Sequence, residues 1–291
     1  MQSPAADPNP TPTSAIDHYE NFPVASWLCP KALRAPISAI YHFARTADDI
    51  ADEGDATPAQ RLETLRTYRQ ALAAACQGRS DDPTPGWPDV FAPLRRAVAN
   101  HQLPPALLHD LLDAFVQDTE KSRDNATYAT EADLLDYCRR SANPVGRLLL
   151  HLYGVTGEQA LAESDAICSA LQLINFWQDL SVDIPRGRYY ITDAMCRQFG
   201  VTRDDLQTLS QTPAATQLVA ACAYSARVGM LKGAPLVHRI PGRAGWELRL
   251  VVQGGLRILD KIASLNFATL KSRPTLKWWD FPVMVWRAVW M

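Results

Sequence analysis

The chain lacks the sequence marks of several common protein classes. Its 29 Lys and Arg residues balance 31 Asp and Glu, a formal net charge of -2, so no positive field would recruit nucleic acid. Only 14 glycines are present and no GxGxxG motif occurs, which argues against a Rossmann dinucleotide-binding domain. No run reaches the roughly 18 apolar residues that would span a bilayer. With 291 residues, 47% of them hydrophobic, the chain is expected to be globular with a large core.

A disulfide framework and a zinc site are equally unexpected. The six cysteines lie far apart and include no CxxC pair, a pattern typical of buried thiols in a reducing compartment. Residues 1–15 are rich in proline and do not have the basic and then apolar order of a signal peptide. We therefore expect a disordered lead-in over residues 1–15 and a cytoplasmic protein.

Helical periodicity dominates the rest of the chain. Apolar residues recur every three or four positions, and alternation with a period of two is hard to find. The pattern predicts an all-α fold, with one helical domain over residues 16–275. The clearest predicted helices are Pro58 to Cys76, Pro105 to Asp118 and Ala160 to Leu180. The segment from Gly78 to Pro93 is predicted to be a surface loop, and the polar stretch from Lys121 to Asp133 a mobile loop.

A first acidic cluster lies in the segment AIYHFARTADDIADE. Asp48 and Asp52 are four residues apart and share one helix face, Asp49 is adjacent, and Arg45 precedes Asp48 by one turn. The flanking residues are mostly apolar, so we expect the acids to point into a cavity. The alternative is a solvated, negatively charged helix end.

A second polar stripe lies in LQLINFWQDLSVDIPRGRYY. Gln172, Asn175, Asp179 and Asp183 follow one another at helical spacing and would form a stripe about 16 Å long on an otherwise apolar helix. An uncompensated buried carboxylate costs several kcal/mol, so this stripe needs a partner. A hard cation is the natural one.

Oxygen ligands without histidine or cysteine select Mg²⁺, or Mn²⁺, over zinc. Two such helices facing each other would hold metal ions with open positions for a diphosphate. Three arginines near the motifs fit that idea, because one guanidinium group can donate two parallel hydrogen bonds to phosphate oxygens. They are Arg45, Arg186 and Arg188. A ferritin-like di-iron site would need paired ExxH motifs, which the chain does not have.

At these residues the chain resembles the squalene/phytoene synthase family, the head-to-head prenyl synthases of the isoprenoid synthase fold, a helical bundle with a central cavity. ARTADDIADE is similar to the family's first aspartate-rich motif and NFWQDLSVDIPRGRYY to its second, and the resemblance covers about residues 18 to 270. One departure is Gln178, where many relatives have arginine. The resemblance implies that Mg²⁺ is reached by Asp48, Asp49, Asp52, Asn175, Asp179 and Asp183, and diphosphate by Arg45, Arg188 and Tyr190. His18, just before the first predicted helix, is a further candidate for the diphosphate, although a structural role is the plainer alternative.

The resemblance also implies an enzyme that acts on a prenyl diphosphate. Three stretches are most similar to bacterial members that ionise presqualene diphosphate, rearrange the cation and add water to give hydroxysqualene, with no NADPH expected. The alternatives are condensation of two farnesyl diphosphates to presqualene diphosphate, with or without reduction to squalene, and a non-catalytic assembly factor on the same scaffold. The predicted catalytic residues are Tyr137, which would position water or diphosphate, Tyr41, whose ring would stabilise the cation, and Arg45. A plain core role for the aromatic residues stays open.

The chain ends in a tryptophan-rich segment, residues 276–291, that holds half of the eight tryptophans. Tryptophan prefers the headgroup region of a bilayer, so this segment could make peripheral contact with the inner face of the membrane. The alternative is that it packs against the bundle.

Overall fold

The computed structural model describes residues 29–78 and 86–291. Over these ranges the chain forms thirteen α-helices and no strand. The predicted all-α class is therefore confirmed. The helices are α1 (Lys31–Asp52), α2 (Pro58–Cys76), α3 (Pro88–His101), α4 (Pro105–Asp124), α5 (Glu131–Ser141), α6 (Asn143–Leu152), α7 (Glu158–Gln178), α8 (Leu180–Asp183), α9 (Asp193–Phe199), α10 (Arg203–Gln207), α11 (Pro213–Gly233), α12 (Gly242–Ser264) and α13 (Phe281–Val289).

Threonine caps begin several helices. The Thr57 hydroxyl accepts a hydrogen bond from the Gln60 N–H, and the Gln60 side chain accepts one from the Thr57 N–H. This capping box satisfies backbone donors that a helix start otherwise leaves unpaired. Helix α2 accordingly has the predicted bounds, Pro58–Cys76.

Both predicted loops are shorter than expected. Helix α3 begins at Pro88, so the loop predicted up to Pro93 is wrong from Pro88 onward. Helix α4 continues past Asp118 to Asp124, and α5 begins at Glu131, which leaves little of the predicted mobile loop. Helix α4 continues through the polar stretch because polar side chains there contact neighbouring residues. Lys121 Nζ donates to the carbonyl of Thr127 at 2.7 Å and lies 4.2 Å from the centre of the Tyr128 ring.

Two apolar cores meet at α6. One is built by α1 to α4 around residues such as Phe43 and Tyr68, and the other by α5, α7, α11 and α12 around residues such as Trp177. Helix α6 contributes Leu148 to the first core and Leu150 to the second. The central helix α7 packs against α5, α6, α11 and α12, so the side chains that it leaves uncovered are well fixed in space.

The C-terminal residues form a packed element. A short 3-10 turn at Trp278–Asp280 leads into α13, which lies against α12. The Asp280 carboxylate is fully buried and accepts from Arg257 Nε and Lys261 Nζ of α12, both at 2.7 Å. Ala288 of α13 is buried as well. Within the described part of the chain, no helix has the length and apolar content needed to cross a membrane.

Candidate active site

Arg45 holds together the acidic residues of the first motif. Its Nη1 lies 3.1 Å from Asp48 Oδ2, and its Nη2 lies 2.8 Å from both Asp49 Oδ1 and Glu53 Oε1. Burial, with help from the neighbouring Asp52, raises the pKa of Asp48 to about 6, although Arg45 opposes the shift. The carboxylates therefore outnumber the positive charge near them, and a further cation would be favoured at this end of α1.

Arg188 joins the second motif to the first. It forms an ion pair with Asp52, in which the Arg188 side chain is 17% and the Asp52 side chain 27% exposed. Arg188 also acts electrostatically on Asp118 of α4 and on Asp183, the last residue of α8. Carboxylates from three helices thus converge around one guanidinium group.

Asp118 belongs to this cluster. Its carboxylate accepts a hydrogen bond from Tyr190 Oη, at 3.1 Å from Oδ1 and 3.3 Å from Oδ2. Burial raises the pKa of Asp118 to about 6, and Arg188 opposes the shift. The Tyr190 hydroxyl, which the family resemblance assigns to diphosphate, is therefore engaged with a carboxylate in this structure.

The stripe on α7 keeps its spacing but crosses a helix end. Between Leu171 and Leu180 only Gln172, Asn175 and Asp179 are partly exposed, and the residues between them are buried. Helix α7 ends at Gln178, and Asp179 separates it from α8. The predicted helix Ala160 to Leu180 therefore ends two residues early, because Asp179 leaves the helical conformation at φ -103° and ψ 13°.

The pKa of Asp183 in the second motif is raised in the same way as that of Asp48. Burial and then the nearby Asp179 raise the pKa of Asp183 to about 7, although Arg188 opposes the shift. Arg186 follows Asp183 by three residues and is exposed, and it too lowers the pKa of Asp183. As on α1, these carboxylates would be stabilised by a bound cation.

Arg273 is a site residue that the sequence prediction missed. Its Nε lies 2.5 Å from Asp179 Oδ1 and its Nη2 lies 3.0 Å from Asp179 Oδ2, a paired contact from the segment after α12. The buried side chain of Gln178 donates a hydrogen bond to the carbonyl oxygen of Pro274, the residue after Arg273, at 2.8 Å. Gln178 thus holds the segment that brings Arg273 to the motif.

Four aromatic rings pack together next to Asp118. The rings of Tyr190 and Phe176 stack with centroids 3.6 Å apart, and the ring of Tyr137 lies 6.2 Å from Phe176 and 6.3 Å from Tyr190. Tyr128 completes the group, 5.8 Å from Tyr137. Burial and then Asp118 raise the pKa of Tyr137 and of Tyr190 well above the ordinary value, so both phenols stay protonated and can donate hydrogen bonds.

An apolar cavity of about 240 Å³ lies beside the first motif. Helices α1, α6, α7 and α12 line it. On α1 the lining residue Ala44 directly precedes Arg45 and the lining residue Tyr41 lies one helical turn before it, so the cavity adjoins the charged cluster. Gly146 of α6 permits a close helix contact here, because a Cβ at that position would lie 2.4 Å from Ser164 Oγ and 2.6 Å from Cys168 Sγ of α7. The site thus combines a charged end with an apolar pocket.

The chemistry of the side chains fits Mg²⁺ or Mn²⁺. In the described ranges, no three Asp, Glu, His or Cys side chains are arranged around a single metal position. Mg²⁺ typically needs only one or two carboxylates and takes its other ligands from water and phosphate. The pair Asp48 and Asp52 and the pair Asp179 and Asp183 each supply two hard oxygen groups, and burial raises the pKa of one carboxyl group in each pair, Asp48 and Asp183. His18, the remaining predicted site residue, lies outside the described residues.

Comparison with known proteins identifies the family of the chain. The family model for squalene/phytoene synthase matches residues 16–280. Hydroxysqualene synthase of Sinorhizobium fredii is 33% identical over 273 residues, which cover 91% of this chain and 84% of that protein. Hydroxysqualene synthase of Rhodopseudomonas palustris is 34% identical over 266 residues, 91% of this chain and 86% of that protein.

One solved structure is similar to this chain in both sequence and fold. The crystal structure of squalene synthase HpnC from Alicyclobacillus acidocaldarius is 34% identical to this chain, with a TM-score of 0.76, and the match covers 86% of this chain and 90% of that one. The predicted isoprenoid synthase fold is therefore confirmed. With both acidic motifs in place beside an apolar cavity, the chain belongs to the squalene/phytoene synthase family.

Proposed function

We propose that the protein is a hydroxysqualene synthase that takes presqualene diphosphate as its substrate. The observation that carries the proposal is the Arg188–Asp52 pair, which brings both acidic motifs together next to the apolar cavity behind Tyr41. A substrate with a diphosphate head and long apolar tails matches that division into a charged and an apolar part. The names of the two relatives support the specific reaction.

The reaction breaks the bond between carbon and the diphosphate oxygen, and the electron pair leaves with the diphosphate. After the cation rearranges, water forms a new carbon–oxygen bond and its proton passes to the released diphosphate. Arg45 and Arg188 would bind the diphosphate oxygens, since one guanidinium group can donate two parallel hydrogen bonds to a phosphate. Both already hold carboxylates of the site, so they are positioned where negative charge accumulates.

Mg²⁺ would be held by the predicted residues Asp48, Asp49, Asp52, Asn175, Asp179 and Asp183. When bound, the metal would neutralise the leaving diphosphate as a Lewis acid, and Mn²⁺ is expected to replace it. Burial raises the pKa of Asp48 and of Asp183, so a bound cation would stabilise the charged form of both carboxylates.

The apolar and aromatic side chains would protect the cation. The cavity next to Tyr41 is lined mainly by aliphatic residues, which keep stray water away from a cation, and the ring of Tyr41 can stabilise the charge by roughly 0.5 to 2 kcal/mol. The protonated Tyr137 lies against Tyr190 and Phe176 and would donate a hydrogen bond to the diphosphate or hold the incoming water.

The proposal includes a single catalytic domain over residues 16–275 and a cytoplasmic location. All six cysteines are free and most are buried, as a reducing compartment would allow. NADPH is not part of the proposed reaction, because water and not hydride captures the cation.

The test is to incubate the purified protein and Mg²⁺ with presqualene diphosphate or farnesyl diphosphate, with and without NADPH, and to identify the extracted lipid. We expect hydroxysqualene from presqualene diphosphate alone. Formation of presqualene diphosphate from farnesyl diphosphate, or of squalene only when NADPH is present, would show one of the alternative synthases instead. No product from either substrate would favour the assembly factor.

Two acids and a matched control link the activity to the site. Asp48→Asn and Asp179→Asn should each reduce turnover by about 100-fold or more, because each removes a charge on which diphosphate release depends. Asp136→Asn makes the same chemical change at an exposed carboxylate of α5 and should leave turnover unchanged. Equal activity in all three variants would refute the assignment of the acids.

A further inference from the structure

Helix α13 turns a wide apolar face outward. The exposed positions Phe281, Val285 and Val289 follow one another at intervals of four residues, as do Pro282, Trp286 and Trp290. Trp286 is 64% exposed and Trp290 is 74% exposed. We call these six residues the outer face of α13. A contiguous apolar surface of this kind on a folded protein usually marks an interaction site.

The outer face is held firmly. Asp280, just before α13, is fixed by Arg257 and Lys261 of α12. At the other end, Arg249 of α12 donates to the carbonyl oxygens of Ala288 and Met291. Both ends of α13 are therefore tied to the bundle, so the outward direction of its apolar side chains follows from the packing.

More tryptophans border this face. Trp278 and Trp279 directly precede α13, and both are more than half exposed. Beyond the other end, Trp246 of α12 is about half exposed and has the Arg249 guanidinium 5.1 Å from its ring centre. Since Arg249 contacts the end of α13, tryptophans flank the outer face at both ends. Tryptophan is enriched at the level of lipid headgroups, where its ring and its N–H find different surroundings.

The surrounding charge is positive. From Leu265 to Met291 the only acidic residue is Asp280, which is fully buried, whereas four basic residues are present. Two of them are ion-paired, Arg273 with Asp179 and Arg287 with Asp260, and the other two, Lys271 and Lys277, are exposed. Contact between two copies across a two-fold axis would bring these like charges together, which disfavours a second copy as the partner. An anionic bilayer is complementary in both charge and apolarity.

Helix α12 connects this surface to the cavity. Its residues Ala244, Glu247, Leu248 and Val251 line the cavity, while Trp246 and Arg249, on the turns between them, lie on the side of α13. Helix α12 thus lies between the cavity and α13, and the outer face is on the far side of α13.

We propose that the outer face of α13, together with its flanking tryptophans and lysines, docks on the surface of an anionic lipid bilayer. The inference stands apart from the proposed reaction, because it depends only on the exposed surface. A synthase with a different prenyl diphosphate substrate would dock in the same way.

The test uses the full-length protein and sedimentation with vesicles of phosphatidylcholine mixed with phosphatidylglycerol, or of phosphatidylcholine alone. We expect the mixed vesicles to bind the protein more strongly. The double variant Trp286→Ser/Trp290→Ser should lower the partition coefficient by about tenfold or more, because it removes the two most exposed apolar side chains of the face. The double variant Lys271→Glu/Lys277→Glu should abolish the preference for the mixed vesicles.

A matched control is available on α11. Tyr224 and Leu231 are 70% and 54% exposed and do not belong to the outer face of α13, so Tyr224→Ser/Leu231→Ser removes exposed apolar surface from a different helix. This control should bind vesicles as the unchanged protein does. Circular dichroism and thermal unfolding of each variant would show that the fold is retained.

Three results would overturn the proposal. The first is that the unchanged protein does not sediment with either vesicle. The second is that the tryptophan variant and the α11 control bind equally well. The third is that the protein is a dimer that dissociates only in the tryptophan variant, since that would assign the face to a second copy. Quenching of tryptophan fluorescence by brominated lipid, lost in Trp286→Ser/Trp290→Ser and kept in the control, would independently support insertion.

Discussion

Arg188 pairs with Asp52 and thereby holds the second acidic motif against the first. Around this pair, Asp118 and Asp183 add negative charge that Arg188 also balances. The guanidinium occupies the centre of a cluster in which each carboxylate would otherwise repel its neighbours. The stability of the site should therefore depend on this one arginine in the absence of bound metal.

We expect Arg188→Gln to lower the free energy of unfolding by about 1–3 kcal/mol, because the carboxylates around it lose their shared partner and the site is partly shielded from water. Mg²⁺ should restore part of the loss, since a cation can take the place of the guanidinium. The measurement is thermal unfolding with and without MgCl₂. Arg186→Gln, which removes an exposed arginine nearby, is the control and should change stability by less than about 0.5 kcal/mol. Equal losses in the two variants would contradict the central role of Arg188.

Arg273 should compete with metal for Asp179. Its guanidinium makes a paired contact with the carboxylate, so a metal that binds Asp179 must displace or tolerate it. In Arg273→Gln we expect the affinity for Mn²⁺, measured by titration without diphosphate, to rise severalfold. Lys271→Gln removes the same charge from an exposed position two residues away and should have a much smaller effect. An unchanged or weaker Mn²⁺ affinity in Arg273→Gln would show that the contact does not restrict the metal site.

Gly146 sets the distance between α6 and α7 beside the cavity. In Gly146→Ala the new methyl group would overlap Ser164 Oγ and Cys168 Sγ, so we expect a loss of about 1–3 kcal/mol and a lower midpoint of thermal unfolding. Gly229→Ala of α11 is a matched control, because its Cβ would lie at an ordinary 3.6 Å from the Cβ of Ala170. That variant should be as stable as the unchanged protein or more so by up to about 1 kcal/mol, since alanine favours a helix. A Gly146→Ala protein as stable as Gly229→Ala would mean that the helices move apart without cost.

The periodicity of the sequence predicts the helices where apolar spacing is regular, as in α2. It fails where polar residues continue a helix, as at Lys121 in α4, because the partners of that side chain are backbone and ring atoms of the following segment. The sequence stripe predicts which α7 residues stay uncovered, since helical geometry alone decides which positions share a face.

The contacts between site residues and distant parts of the chain are harder to predict from the sequence. Arg273 reaches Asp179 across 94 residues, and only the course of the chain after α12 brings the two together. Gln178 stands out in the sequence as a departure from the family, but its bond to the Pro274 carbonyl depends on that same course. Likewise, the terminal tryptophans are evident in the sequence, whereas their outward direction follows from the packing of α13 on α12.

Asp280 should be the residue that holds α13 in place. Although burial opposes the shift, hydrogen bonds from Lys261, the Lys277 N–H and Arg257 lower the pKa of Asp280 to about 2, below the value of about 3.9 in an unfolded chain. Its stabilisation is therefore complete above about pH 4 and is lost as the pH falls toward 2. Asp280→Asn should cost about 2–4 kcal/mol at neutral pH and speed hydrogen exchange in α13, and the difference from the unchanged protein should shrink below about pH 4. Asp136→Asn, at an exposed ion pair, should change neither the free energy of unfolding nor the hydrogen exchange of α13. Slow exchange in α13 of the Asp280→Asn protein would show that other contacts hold the helix in place.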